Sequence, residues 1–283
     1  TARQLNPFKA SSYGTGQLMG LALKQGARKF MVGLGGSATT DGGSGALLAL
    51  GARFLDENGR PIMQQGAAAL SKIAEIDLSA IDPAWADCDV QVLVDVDNPP
   101  TGERGAAAVF APQKGAVPDQ IPTLDAGIGN FVEKLSAASG RDVTTLEGGG
   151  AAGALAAGLA GGLNAKLISG AETILAFINF DDAVQAVDLV ITGEGRMDEQ
   201  TIGGKGPFGV ALRAAEFGVP TVALVGSVGV DEAVLHDAGL AAVHPILDRP
   251  QPIEFAMRDA AELLERAALR LGYTLKLQLG ERS

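Results

Sequence analysis

"VDLVITGEGRMDEQTIGGKGPFGVALRAAEFGVPTVALVG", residues 187 to 226, decides the fold class. Its opening VDLVIT is apolar without alternation, the pattern of a strand buried on both faces. A loop of glycines and charges follows, then a helix near Phe208 to Phe217, then a second buried strand in PTVALVG. The same order recurs with a helix near Asp231 to Ala238, the strand AAVHPIL and a long helix from about Ile253. Strands spaced by helices imply a parallel sheet covered on both faces. Three such strands leave open edges, since the doubly wound order needs about five.

Toward the amino end the pattern is more mixed. Thr15 to Gly26 predicts a helix stopped by its glycine, and KFMVGLGG is a short strand running into a glycine loop. Residues 42 to 50 continue as helix, and Asn58-Gly59 inside FLDENGRPI offers two positive-φ positions for a hairpin. The VQVLVDV run ending at Val96 is a buried strand, and Asp119 to Ala138 has helical spacing in Leu124, Ile128, Phe131, Val132 and Leu135. The glycine blocks at 33 to 45, 147 to 162 and 193 to 206 differ in spacing, so no internal repeat is present.

Composition narrows the chemistry. The 283 residues are 47% hydrophobic and 19% charged, the balance of a folded globular chain. Lys plus Arg (22) against Asp plus Glu (33) leaves a net charge of −11, which repels a polyanion and disfavours nucleic-acid partners. The small apolar run Ala151 to Leu163 is far shorter than the ~20 residues of a bilayer span. The start of the chain lacks a secretory apolar core and Cys88 has no disulfide partner, so the expected location is the cytoplasm. With only His236 and His244, and no HExxH spacing, a zinc site lacks ligands; no G-x-S-x-G elbow supports acyl transfer. What is abundant is glycine (39 residues), acids and small hydroxyls, the materials for holding phosphates and a hard cation.

Four blocks carry that chemistry. In GLGGSATTDGG (33 to 43), amides around Gly35 and Gly36 and the hydroxyls of Ser37, Thr39 and Thr40 suit an anion, while Asp41 could hold a metal or cap the helix. The spacing is not a Walker loop. EGGGAAGALAAGLAGGL (147 to 163) reads as a glycine loop feeding a helix of small residues, explained almost as well by close packing. Asp95 and Asp97 stand at a strand end before a proline pair, and Lys114 in PQKG sits in a turn that could aim a cation at a carboxylate or phosphate. The strongest block is 193 to 205. Gly193, Glu194, Gly195, Arg196, Asp198 and Lys205 all lie just beyond a strand's carboxyl end, where open α/β sheets bind ligands. Opposed charges among glycines fit phosphoryl transfer.

Together SSYGTGQL, GLGGSATTDGG, DVDNPPTGERGA, PQKGA, GGGAAG and LVITGEGRMDEQTIGGKGP resemble, in order and approximate spacing, the bacterial glycerate kinases that phosphorylate the 2-hydroxyl. The resemblance spans nearly the whole chain. It implies ATP-dependent conversion of D-glycerate to 2-phosphoglycerate with Mg²⁺, in a fold of two α/β domains. One is a flavodoxin-like parallel sheet, here incomplete, and the other an inserted mixed α/β domain of restriction-enzyme-like topology. Relatives of this type carry about a hundred further residues at the amino end, including D-S-x-K and A-D-G-G-E-G-T motifs that this sequence lacks. The expected inserted domain is then residues 1–186, and 187–283 the carboxyl-terminal half of the flavodoxin-like domain. Thr40, Asp97 and Ala111 stand where Asn, Thr and Gly are expected.

The expected reaction lies in a cleft between domains. Gly35, Gly36, Ser37, Thr39, Gly193 and Gly195 hold ATP; Asp198 activates the glycerate hydroxyl; Arg196 and Lys205 clamp carboxylate and γ-phosphoryl; Asp41 or Asp95 with Glu194 binds Mg²⁺. A homodimer is the candidate assembly. The alternatives are a catalytically incompetent fragment of such a kinase and a kinase for another small hydroxy acid, since one methylene changes binding by only ~1 to 3 kcal/mol. A dinucleotide-dependent oxidoreductase is disfavoured because no G-x-G-x-x-G opens a strand-turn-helix unit.

Overall fold

A computed structural model describes residues 5–197 and 206–279. Asp198 and Lys205, both expected at the site, lie outside the described residues. The chain divides into two compact units, Thr1–Gly170 and Ala171–Ser283.

The first unit begins with helix α1 (Tyr13–Lys24), strand β1 (Lys29–Gly33) and helix α2 (Ser44–Ala49). Strands β2 (Arg53–Leu55), β3 (Glu75–Asp77) and β4 (Asp89–Val94) follow, then helices α3 (Ala106–Phe110), α4 (Ile121–Ser139) and α5 (Ala151–Leu163) and strand β5 (Lys166–Ser169). Its main sheet has the order β1-β4-β5, every neighbour parallel, and β2 pairs antiparallel with β3. The hairpin expected at Asn58-Gly59 is reduced to a tight turn and a single bridge between Leu55 and Pro61. Only Gly59 has positive φ, and the Asp56 carboxylate closes the turn by accepting from the Asn58 and Arg60 amides. That is a type I turn with a trailing glycine, the three-residue class of hairpin loop.

Small residues set how closely this unit's layers approach. Helix α5 is buried from Ala151 to Gly161 and again at Leu163, so every face of it meets protein. The facing side chains include Leu135 of α4 and Leu47 of α2, both fully buried. At Gly16, a Cβ would lie 2.2 Å from the Ala46 carbonyl oxygen, so α1 and α2 cross at a distance only glycine permits. Phe30 and Trp85 close the other end of the core with ring centroids 4.8 Å apart.

The second unit contains α6 (Gly170–Phe177, starting at the boundary), α7 (Phe180–Val184), β6 (Val190–Glu194), α8 (Pro207–Glu216) and β7 (Thr221–Val225). It continues with α9 (Glu232–Asp237), β8 (Leu240–Pro245), α10 (Ile253–Arg258) and α11 (Ala260–Leu279). The strands form one parallel sheet in the order β6-β7-β8. All five residues of β7 are buried, as the unalternating apolar run predicts for a central strand. The long helix expected from Ile253 breaks at Asp259, which pairs with Arg258. The division also falls earlier than the expected 186/187. Helices α6 and α7 belong with the second unit because Asp181 forms an ion pair with Arg213 of α8, and Gly209 of α8 lies against Ala171.

One position in β7 is imperfect. The Thr221 side chain is buried, yet its hydroxyl has no hydrogen-bond partner among the described residues. Thr221→Val keeps the shape and removes the stranded hydroxyl, so it is expected to stabilise the unit by about 1 kcal/mol. Thermal denaturation should show a melting temperature a few degrees higher.

Candidate active site

The loop after β1 spans residues 34 to 43, up to the start of α2. The backbone N–H groups of Gly35 and Gly36, and the Ser37 hydroxyl, donate to no acceptor among the described residues, while Leu34 to Ser37 form a tight turn with Gly36 at φ 67°. Open space surrounds Gly35 and Gly36, where an added Cβ would meet nothing within 4 Å. Unpaired amides converging on open space are what an oxyanion requires. The loop borders a pocket of about 540 Å³, whose other walls come from Leu93–Val96 at the end of β4, from Phe110, Gln113 and Lys114, and from Ala151 and Ala152. On its other side a hollow of about 240 Å³ reaches Ser11, Ser12 and Thr15.

The far half of the loop is locked. Asp41 is fully buried, and its Oδ2 accepts from the Ser12 amide (2.8 Å), the Ser12 hydroxyl (2.9 Å) and the Gly45 amide (3.3 Å). Oδ1 accepts from the Gly43 amide at 3.2 Å. Burial pushes the Asp41 carboxyl up, and the donors from Ser12, Gly43 and Gly45 oppose that shift. This corrects the expectation of a metal ligand at Asp41. A carboxylate sealed from solvent with both oxygens engaged caps α2 and fastens it to the start of α1; it cannot take a cation. Thr39 is also committed, since its hydroxyl donates to the Ala152 carbonyl at 3.2 Å. Of the hydroxyls in this block, Ser37 is the one that lines both hollows without a protein partner.

The small-residue block supplies the loop's counterpart. Ala152, Gly153 and Ala154 have φ of 54°, 71° and 66°, so α5 is interrupted by a left-handed turn immediately after its start. Alanine in that region costs about 1–2 kcal/mol per residue, and two such residues mark a backbone held by its surroundings. The holding contacts are visible. Gly42 N–H donates to the Gly153 carbonyl at 2.9 Å, and a Cβ on Gly153 would lie 2.1 Å from the Thr39 oxygen.

Three charged groups complete this pocket's surroundings. Asp95 is exposed and lines it, with its carboxylate against Gly170, where a Cβ would come within 2.7 Å of Oδ2. Asp97 is turned into an ion pair with Arg104 at 2.6 Å. Lys114, in the turn that could aim a cation at a ligand, is only 4% exposed and donates from Nζ to the Thr39 carbonyl at 2.7 Å. Burial lowers its pKa to about 8, with the charge of Asp41 acting in the opposite direction. The sequence signal for that burial was thin: a turn lysine between a proline two residues before it and a glycine directly after it.

In the second unit, the carboxyl ends of the strands frame a larger pocket of about 900 Å³. Its polar rim is Thr192, Gly193, Glu194, Gly195, Gly226 and Ser227, and its wall includes Ile253, Met257 and Leu264. Glu194 is exposed and its Oε1 accepts from the Gly195 amide at 3.0 Å. Arg196 is exposed beside buried Met197, whose amide donates to Ser227 and whose carbonyl accepts from Gly229. The loop after β6 is thereby tied to the loop after β7. Gly193, Glu194 and Gly195 thus share a pocket, as do Gly35, Gly36, Ser37 and Asp95 in the first unit.

The sequence profile of the glycerate kinase family matches residues 1–276. The chain belongs to the glycerate kinase family. It is similar to a glycerate kinase of Halalkalibacterium halodurans, with 45% identity over 263 residues that cover 93% of this chain and 69% of that protein. It is 39% identical over 276 residues to a glycerate 2-kinase of Escherichia coli, covering 98% of this chain and 72% of that one. A crystal structure of a protein assigned as glycerate kinase 2 from Salmonella typhimurium LT2 matches with a TM-score of 0.75 and 39% identity, over 98% of this chain and 72% of its own. The kinase is therefore a phosphotransferase of mixed α/β architecture with a small-molecule acceptor, and membership of a kinase family implies ATP as donor. Among the described residues, no helix of this kinase is long and apolar enough to cross a membrane.

Proposed function

We propose that this kinase transfers the γ-phosphoryl group of ATP to the 2-hydroxyl of D-glycerate. The observation that carries the reading is the set of donors with no partner among the described residues, the Gly35 and Gly36 amides and the Ser37 hydroxyl, bordering one pocket together with Asp95 and Lys114 in a member of the glycerate kinase family. The name of the Escherichia coli relative supports the 2-position.

In this reading the hydroxyl oxygen of glycerate forms the new O–P bond as the bond from the γ-phosphorus to the β-bridging oxygen breaks, leaving ADP. The hydroxyl proton passes to the Asp198 carboxylate. Gly35, Gly36 and Ser37 offer N–H and O–H donors to phosphoryl oxygens, Gly193 and Gly195 present bare backbone to the nucleotide phosphates, and Arg196 and Lys205 balance charge as it moves. Thr39 acts one step back, holding the loop on Ala152. Mg²⁺ bound with the nucleotide would neutralise its phosphates. It needs only one or two protein carboxylates beside phosphate and water oxygens, and exposed Asp95 and Glu194 fit that requirement where Asp41 does not. The lone free cysteine, Cys88, supports a reducing, cytoplasmic setting.

The test is ATP-dependent phosphorylation of D-glycerate, with the phosphorus NMR spectrum distinguishing 2- from 3-phosphoglycerate. Asp198→Asn is expected to lower kcat by about 10²–10⁴-fold, the range for a lost general base, with little change in KM. A rate within a few-fold of the parent removes Asp198 as the base.

A further inference from the structure

We propose that Lys114 binds the carboxylate of the acceptor, so that the first unit's pocket takes a short hydroxy acid with its acid group on the Lys114 ammonium and its hydroxyl end toward Asp95. The proposal rests on the glycerate kinase reading and adds to it a binding residue and an orientation.

Four observations carry it. Lys114 lines the pocket while being 4% exposed, and lysine is almost never fully buried unless paired. Its ammonium has three donors, and one of them meets a neutral carbonyl, Thr39 O, as its only hydrogen bond among the described residues. The nearby negative charge of Asp41 does not complete the pairing, because the Asp41 oxygens are held by Ser12, Gly43 and Gly45. A buried cation in that state lacks the counter-charge that normally accompanies burial, and an incoming carboxylate supplies it.

The lysine is also delivered rigidly. The turn Pro112–Lys114 is closed by Lys114 N–H and Ala116 N–H, both donating to Ala111 O at 3.0 Å, and Gly115 follows at φ 94°. A ligand therefore meets a fixed charge. The rest of the pocket then sets the orientation. Asp95 repels an anionic group from its own side and accepts hydrogen bonds from hydroxyls, while the Ser37 end offers donors. Glycerate has one anionic end and one hydroxyl-bearing end, which matches this division.

The experiment is calorimetric titration of D-glycerate into the parent chain, Lys114→Gln and Lys114→Met. Glutamine can still donate to Thr39 O, so a purely structural tether predicts parent-like binding for that variant. Carboxylate pairing predicts Kd at least about 30-fold weaker in both variants, the range for a truncated buried charge pair, with KM for ATP unchanged. If Lys114→Gln binds glycerate as the parent does, or if the parent binds none, the proposal is overturned.

A second measurement on the parent needs no variant. Lys114 is charged below its pKa of about 8 and neutral above it. The charged groups around it are Asp41 and Asp95; the facing loop residues 34 to 38, Phe110, Gln113, Ala151 and Ala152 carry none. Glycerate Kd is thus expected to rise about tenfold per pH unit above that value. A Kd that stays flat through the pH at which the Lys114 ammonium is itself observed to deprotonate equally overturns the proposal. Tight glycerate binding without phosphate transfer from ATP would instead count against the kinase reading and leave Lys114 in place.

Discussion

Asp41→Ala is expected to unfold the first unit under conditions where the parent is stable. Removing the carboxylate strands the amides of Ser12, Gly43 and Gly45 and the Ser12 hydroxyl in a region with no solvent. Each unsatisfied buried donor costs about 1–3 kcal/mol, and breaking a buried charged network typically costs about 3–5 kcal/mol in total. That is a large fraction of the ~5–15 kcal/mol stabilising an ordinary domain. The loss should be specific in its chemistry. Asp41→Asn retains one carbonyl oxygen, which can occupy the Oδ2 position with its three donors, while its NH₂ then faces the Gly43 amide that Oδ1 had accepted. Urea denaturation should therefore rank parent, asparagine and alanine in that order. An alanine variant as stable as the parent would mean that the buried cap is not what joins the starts of α1 and α2.

Gly153→Ala is expected to be nearly as damaging through backbone sterics alone. At φ 71° the residue sits between two alanines already in the left-handed region, and its Cβ would lie 2.1 Å from the Thr39 carbonyl oxygen. That oxygen cannot yield, because it also accepts from the Lys114 ammonium. The clash must move either the loop or the start of α5, and α5 has no free face along which to move. We expect a loss of at least about 3 kcal/mol, among the larger effects of a single substitution, together with loss of glycerate binding. Ala157→Gly, in the right-handed part of the same helix, should cost about 1 kcal/mol from helix propensity and about 1 kcal/mol more for the buried methyl it loses, and leave binding intact. Calorimetry and thermal denaturation on the pair separate local strain from general weakening of α5.

Much of the architecture was legible because it follows from short-range patterns. The unalternating run at 221–225 reads as a central parallel strand and is one, and Gly26 stops α1 as its position predicts. Where the reading failed, the cause was a contact distant in sequence. Nothing around Asp41 distinguishes a solvated acid from a sealed one; the difference lies in Ser12, twenty-nine residues earlier. The block 147 to 163 reads in sequence as a glycine loop feeding a helix of small residues, with nothing to set one of its glycines apart. Yet one of them faces Thr39 from inside a left-handed turn, a feature set by tertiary fit rather than propensity. Lys114 is the reverse case, a surface-type residue in a surface-type turn that the fold draws inward onto residue 39. Gly35, Gly36, Ser37 and Asp95 became candidates through glycine chemistry and strand-end position, both of which are local; that these four line one pocket is a tertiary fact.

The left-handed turn at 152–154 has one more consequence. It presses on the glycine-hydroxyl loop from a helix that is itself embedded on all sides, and the loop's far end is fixed by Asp41. The Gly35 and Gly36 N–H groups at its tip, unpaired among the described residues, therefore hold their direction. Their loss of conformational freedom is settled while the chain folds, so an arriving anion encounters a rigid mould and little of its binding free energy is diverted into organising the receptor.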